Sequence, residues 1–245
     1  MLFRSMAAAA FAACCLASSA NAQSQHVPAT NAQDGSAVSD DIRLRWLDQA
    51  TFAPDAMFAK PPARGSIVEQ TDLARLRTII ARASAERLLQ AKWDGDHEDP
   101  AAFSAAAGRD LARLPATAAL LAIISDEVER IVVRAKRHFA RPRPYQVDPE
   151  LPHCGKGSPE LLGYPSGHAG YGWSVGWTLA KLMPARAPAL LERAQDYSYS
   201  RQLCGSHFSF DLEASHAMAL IAVEKLLADP RLATQVAAAR AELNP

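Results

Sequence analysis

The sequence predicts an all-α protein, a helical bundle folded as a single domain. Alanine, leucine and arginine dominate its segments, apolar residues recur at helical spacing, and no stretch sustains the period-2 alternation of β-branched residues that a strand requires. The turns are too short to act as interdomain linkers, and no internal repeat is present in the sequence. With 245 residues and 49% hydrophobic content the chain can fill one sizeable core.

Taken in order, residues 1–22 read as a secretory signal. Met1-Leu2-Phe3-Arg4 carries one positive charge, an apolar run follows over 6–16, and Ala20-Asn21-Ala22 offers a small-x-small cleavage site. Cys14 and Cys15 lie inside the apolar run rather than after it, which weighs against lipidation. Residues 23–40 are rich in Gln, Ser, Asn and Ala without apolar period, as expected of a flexible leader. The domain is expected over 41–245, opening with a strap over 41–60 in which Trp46, Leu47, Phe52, Met57 and Phe58 lie among turn signals. A helix begins after Ser66, with Leu73, Leu76, Ile80, Leu88 and Leu89 keeping one apolar face to about Trp93. Asp94-Gly95-Asp96-His97-Glu98-Asp99-Pro100 then reads as a solvated acidic loop, too short for an EF-hand and without its terminal glutamate. Further helices are expected over 101–111, 115–124, 125–140, 174–182, 188–200 and 208–228, and again from 230.

Composition narrows the partners. Lys+Arg 26 balances Asp+Glu 26, so the long-range field that would gather nucleic acid or an anionic membrane surface is missing. The longest apolar runs, 116–124 and 217–223, fall short of the ~18 residues a membrane span needs, so no stable insertion is expected. Cleavage after Ala22 would leave two cysteines, Cys154 and Cys204, which in an oxidising compartment are a disulfide candidate.

Three segments carry chemistry. Lys136 lies near a helix end, and Arg141-Pro142 should stop that helix near Ala140 and place Arg143 in a loop. Lysine supplies a compact charge and arginine a planar fork, two ways of holding phosphate oxygens, although the cluster Arg134, Lys136, Arg137, Arg141 and Arg143 also fits a solvated basic face. In Pro165-Ser166-Gly167-His168, glycine lets backbone N–H groups approach an anion, and the helix resuming near Ala169 aims its positive end there. Arg201 adds a second fork. His207 and Asp211, at i and i+4, place a carboxylate where it can fix the histidine tautomer.

Lys136-x6-Arg143-Pro144, Pro165-Ser166-Gly167-His168 and Ser200-Arg201-x5-His207-x3-Asp211 together resemble the three-part signature of the type 2 phosphatidic acid phosphatase (PAP2) superfamily, which also contains the vanadium haloperoxidases. Tyr164 before the proline and Leu203-Cys204-Gly205 before His207 are most similar to the bacterial class A non-specific acid phosphatases. The motifs cover about residues 130–225; Ala169 and Phe208 stand where family members often have Thr and Trp, which bears on substrate preference. The resemblance implies a PAP2-type helical bundle acting as a periplasmic or secreted acid phosphatase on small phosphomonoesters, with transfer to a second alcohol as a further activity, and it leaves homo-oligomerisation open. It implies His207 as nucleophile through a phosphohistidine, Asp211 orienting it, His168 as general acid, and Lys136, Arg143, Ser166, Gly167 and Arg201 holding the phosphoryl oxygens, with no metal or other cofactor. It further implies an acid-side pH optimum, with His207 neutral and His168 protonated. Three other functions share features with this pattern: a lipid phosphate or lipid pyrophosphate phosphatase, a vanadium haloperoxidase, and a non-catalytic anion-binding protein.

Overall fold

The computed structural model describes residues 42–244, in which helices follow one another without a strand. The signal expected at 1–22 and the leader expected at 23–40 lie outside the described residues. The α-helices are α1 (Pro54–Met57), α2 (Ile67–Arg82), α3 (Ala85–Asp96), α4 (Ser104–Ala107), α5 (Pro115–Phe139), α6 (Pro144–Val147), α7 (Gly167–Leu182), α8 (Ala187–Leu203), α9 (Ser209–Leu227) and α10 (Ala233–Leu243).

Several boundaries differ from the sequence expectation, each for a local reason. The helix expected from Ser66 to Trp93 is two helices, because Ala83 turns extended and Ser84 caps a new start by accepting the Arg87 N–H. The two helices expected over 115–140 are one, since no glycine or proline interrupts the i to i−4 ladder between Ala116 and Phe139. Ala140 then ends α5 in the left-handed conformation at φ 43°, returning its N–H to the Lys136 carbonyl at 3.0 Å. The single helix expected over 101–111 is a 3-10 turn at Pro100–Phe103, α4, and a second 3-10 turn at Leu111–Arg113, with the left-handed Gly108 stopping α4.

α7 is the centre of the bundle and packs on α5, α8 and α9. Its contact with α8 is closer than ordinary side chains permit: a Cβ on Gly172 would lie 2.6 Å from Tyr197 Cδ1, and one on Gly176 would lie 2.6 Å from the Ala194 Cβ. The main core joins α5, α7, α8, α9 and α10 through Leu120, Ile124, Val175, Leu179, Leu190, Val223 and Val236.

The N-terminal strap belongs to this core, with Leu44, Leu47, Phe52 and Phe58 buried in it. What holds its backbone is Glu127 on α5, fully buried, whose carboxylate accepts the N–H groups of Arg45, Trp46 and Leu47 at 2.9–3.0 Å. Three charge-assisted hydrogen bonds compensate the burial of one carboxylate. Among the described residues no helix is long and apolar enough to cross a membrane.

Candidate active site

The ends of α5 and α8 and the starts of α7 and α9 converge on one place. α5 delivers Lys136 in its last turn; α6 begins just after Arg143, whose backbone N–H donates to Gln146 Oε1 at 2.7 Å, fixing the entry to that turn. α7 begins at Gly167 with Ser166 as N-cap, the Ser166 hydroxyl accepting the Ala169 N–H at 3.3 Å, which leaves the hydroxyl proton available for donation. α8 brings Arg201. His207 lies in the turn before α9, so it does not share a helix face with Asp211 as the spacing suggests. Asp211 instead reaches back from the first turn of α9, accepting the Phe208 N–H at 2.8 Å on Oδ2 and lying 3.2 Å from His207 Nδ1 through the same oxygen.

The tautomer of His207 follows from its partners. Arg143 Nη1 donates to Nε2 at 2.8 Å, so Nε2 is the acceptor and carries the lone pair. Nδ1 therefore holds the proton and donates to the Gly163 carbonyl at 2.8 Å and to Asp211. Gly163 in turn donates its N–H to the Arg141 carbonyl at 2.7 Å, so one residue ties the segment after α5 to the histidine of the third motif. A Cβ at Gly163 would sit 2.7 Å from the Pro142 oxygen, which requires glycine there.

Three cations crowd a largely buried volume. Burial lowers Lys136 to a pKa of about 8, with Arg143 and Arg201 adding to the effect, and burial likewise lowers both arginines. Arg201 donates through Nη2 to the Ser206 hydroxyl at 3.2 Å, whereas its Nε and Nη1 are buried without a hydrogen-bond partner. Unpartnered guanidinium donors beside two further cations make a cradle for a dianion such as a phosphoryl group. Burial also lowers His207 well below the ordinary histidine value, with Arg143, Lys136 and Arg201 acting in the same direction. Burial raises Asp211, against the pull of the Phe208 N–H and of Arg141 and Arg143.

The cradle opens into a cavity of ≈ 390 Å³ that Lys136, Arg143, Gly167 and His168 line at one end. His168 Nε2 lies 3.1 Å from the Gly95 carbonyl and Nδ1 lies 3.9 Å from a Glu98 carboxylate oxygen. Burial brings His168 down to about 3, reinforced by Arg201, Lys136 and Arg143. The Gly95 carbonyl opposes that shift without cancelling it, and the direction favours a neutral imidazole across the mildly acid range.

Residues 113–226 match the PAP2 superfamily, and over 200 residues the chain is 33% identical to an acid phosphatase of Zymomonas mobilis, covering 78% of this chain and 75% of that protein. The chain belongs to the PAP2 superfamily. A non-specific acid phosphatase of Providencia stuartii is 28% identical over 197 residues, 76% of this chain and 79% of its own length. One from Salmonella typhimurium is 30% identical over 114 residues, 45% of each chain.

The matched PAP2 segment contains Lys136, Arg143, Ser166, Gly167, His168, Arg201, His207 and Asp211, and the fold brings them together. The loop reading of residues 94–100, outside that segment, needs correction. Asp94 is fully buried at the end of α3, paired with Arg193 at 2.5 Å and accepting the Ser200 hydroxyl at 2.5 Å. That anchor to α8 presents the Gly95 carbonyl to His168. A Cβ on Gly95 would fall 2.3 Å from Arg201 Nη1, so glycine is what lets the guanidinium lie there. Among the described residues no group of three or more His, Cys, Asp or Glu side chains is arranged to hold a metal ion.

The basic cluster is divided rather than solvated as a face. Arg134 donates to the Gln49 side chain at 3.0 Å, Arg141 forms a buried ion pair with Glu69 at 2.7 Å, and Lys136 and Arg143 go to the cradle. Cys154 and Cys204 are bonded, joining the loop before motif two to the end of α8. Signals for Gly95, Glu98 and Gly163 are weak in sequence; the glycine at 95 inside an acidic run at a helix end was the one clue to a close approach.

Proposed function

We propose that this PAP2 protein is an acid phosphatase that hydrolyses small phosphomonoesters through a phosphohistidine on His207, in the periplasm or outside the cell, and that it can pass the phosphoryl group to a second alcohol. The arrangement around His207 carries the reading: Nδ1 is pinned to Gly163 and Asp211, and the Nε2 lone pair points among Lys136, Arg143 and Arg201. The names of the relatives as acid phosphatases agree with it.

In the first step Nε2 attacks phosphorus as the P–O ester bond breaks, and Arg143 leaves Nε2 for a phosphoryl oxygen. The ring, now bonded to phosphorus and still protonated at Nδ1, is cationic. The Asp211 carboxylate, disfavoured as an anion by burial, is compensated as that charge appears, so the pair stabilises the transition state more than the ground state. Lys136, Arg143, Arg201, the Ser166 hydroxyl and the Gly167 N–H hold the equatorial oxygens. The monoanionic ester brings the proton, which passes to His168 and from there to the leaving alkoxide. Water then attacks the phosphohistidine, His168 takes its proton, and phosphate leaves with Nε2 restored; an alcohol in place of water gives transfer.

The secreted location rests on residues 1–22 and on the disulfide, which an oxidising compartment preserves. Brief turnover of labelled p-nitrophenyl phosphate followed by denaturation tests the mechanism: acid-labile phosphate should map to His207 and vanish in His207→Ala. Turnover surviving in that variant refutes the assignment. Preference for phosphatidic acid over p-nitrophenyl phosphate, or halide oxidation by peroxide after vanadate loading, would move the chain to the other activities of this signature.

A further inference from the structure

The half of the cavity away from the cradle has its own chemistry. α5 presents Ser125, Val128, Glu129, Val132, Val133 and Lys136 to it, a spacing of i, i+3, i+4, i+7, i+8 and i+11 that follows one helical face. Glu129 stands seven residues from Lys136, about 10 Å along the helix at 1.5 Å per residue. Glu98, from the loop after α3, lines the same cavity and lies beside His168. Tyr171, one turn beyond His168 on α7, completes the lining; it is 8% exposed, and its buried hydroxyl has no hydrogen-bond partner.

Resting on the phosphatase reading, we propose that this half of the cavity is a leaving-group subsite for alcohols bearing an ammonium group, so that amino-alcohol phosphates are preferred and esters with a second anionic group are rejected. Among the described residues lining the cavity the cations stand at the phosphoryl end, where the phosphoryl oxygens engage them. Beyond His168 the charged groups lining it are two carboxylates that repel each other: burial raises Glu98, and the Glu129 charge raises it further. An ammonium placed between them relieves that repulsion. The valines take the methylene chain, and the Tyr171 hydroxyl can accept from an N–H. A short amino alcohol brings its nitrogen to Glu98, because the leaving oxygen is beside His168; a chain of four carbons extends toward Glu129.

The test compares esters of matched shape at pH 7: O-phosphoethanolamine against propyl phosphate, and 4-aminobutyl phosphate against pentyl phosphate, with phosphoglycolate as the anionic probe. We expect kcat/KM to favour each ammonium ester by about tenfold, equivalent to ~1.4 kcal/mol, and phosphoglycolate to be the poorest. E129Q should bring the aminobutyl ratio to within about threefold of one, with a smaller change for phosphoethanolamine. A wild-type ratio at or below one, with the neutral esters turned over, refutes the subsite and leaves the phosphatase reading standing. A high ratio that neither E129Q nor E98Q alters refutes the two carboxylates as its source. Absence of turnover on every ester, p-nitrophenyl phosphate included, overturns both. Should the variants not fold, the wild-type ratio at low and high salt decides, and a ratio insensitive to salt counts against the proposal.

Discussion

On the proposed mechanism the proton that the leaving alcohol receives arrives with the substrate, and changing the acidity of the ester tests this. His168 is held at about 3 by burial and by Arg201, Lys136 and Arg143. At pH 6 only about one free enzyme molecule in 10³ carries that proton, three pH units above the group's value, or ~4 kcal/mol. A phosphomonoester with a second pKa near ~6 is half monoanion at the same pH. Neutral His168 meeting the monoanion therefore outnumbers protonated His168 meeting the dianion by about 10³. Once the phosphoryl group neutralises the cations, the proton can pass to His168 and on to the leaving oxygen. This modifies the sequence expectation of a protonated His168 in the free enzyme while retaining the acid-side optimum. The sign follows: kcat/KM, which reports free enzyme and free substrate, falls above the second pKa of the ester and falls at low pH as the histidines protonate. Initial rates across the pH range for propyl phosphate and for the more acidic p-nitrophenyl phosphate should give alkaline limbs that differ by the difference in ester acidity. Coincident limbs at an ordinary histidine value would refute the reasoning, because the enzyme would then hold the proton before binding.

Gly95→Ala puts a Cβ 2.3 Å from Arg201 Nη1, so the guanidinium must move out of the cradle; kcat/KM should fall at least about tenfold while circular dichroism is unchanged, and unaltered affinity for inorganic phosphate by calorimetry would contradict this. Removing the Cys154–Cys204 bond, whose partners are 50 residues apart, with serine at both positions should lower stability by ~2–4 kcal/mol through the lost restraint on the unfolded chain. A melting temperature within error of the wild type would contradict that restraint.

Much of the fold was legible in the sequence because it depends on neighbours in the chain. Helical periodicity, the cap at Ser66 and the stop at Arg141-Pro142 are local features, and the start of α2 together with α7, α8 and α9 appeared where they predicted, within a few residues. The motif residues were legible because phosphoryl chemistry restricts their types: cations, a glycine turn, and a histidine with a carboxylate four residues on. Local pattern misjudged 94–100, where a run of carboxylates reads as solvated although Asp94 is buried against Arg193 of α8. It also could not separate Arg141 from Arg143. Both follow a helix end, yet one pairs with Glu69, 72 residues away, and the other with His207, 64 residues away.

By itself the sequence determined the helical architecture and the superfamily, and it offered Cys154 and Cys204 as a disulfide candidate and a set of residues proposed to hold and transfer a phosphoryl group. The tertiary structure decided which of several arginines enters the cradle, which nitrogen of His207 is free, and that Gly95 and Glu98 border His168. Those outcomes depend on burial and on charges brought together from distant segments. A carboxylate or guanidinium is the same group in any stretch of sequence, and only its surroundings decide whether it faces water, a partner or the reacting phosphorus.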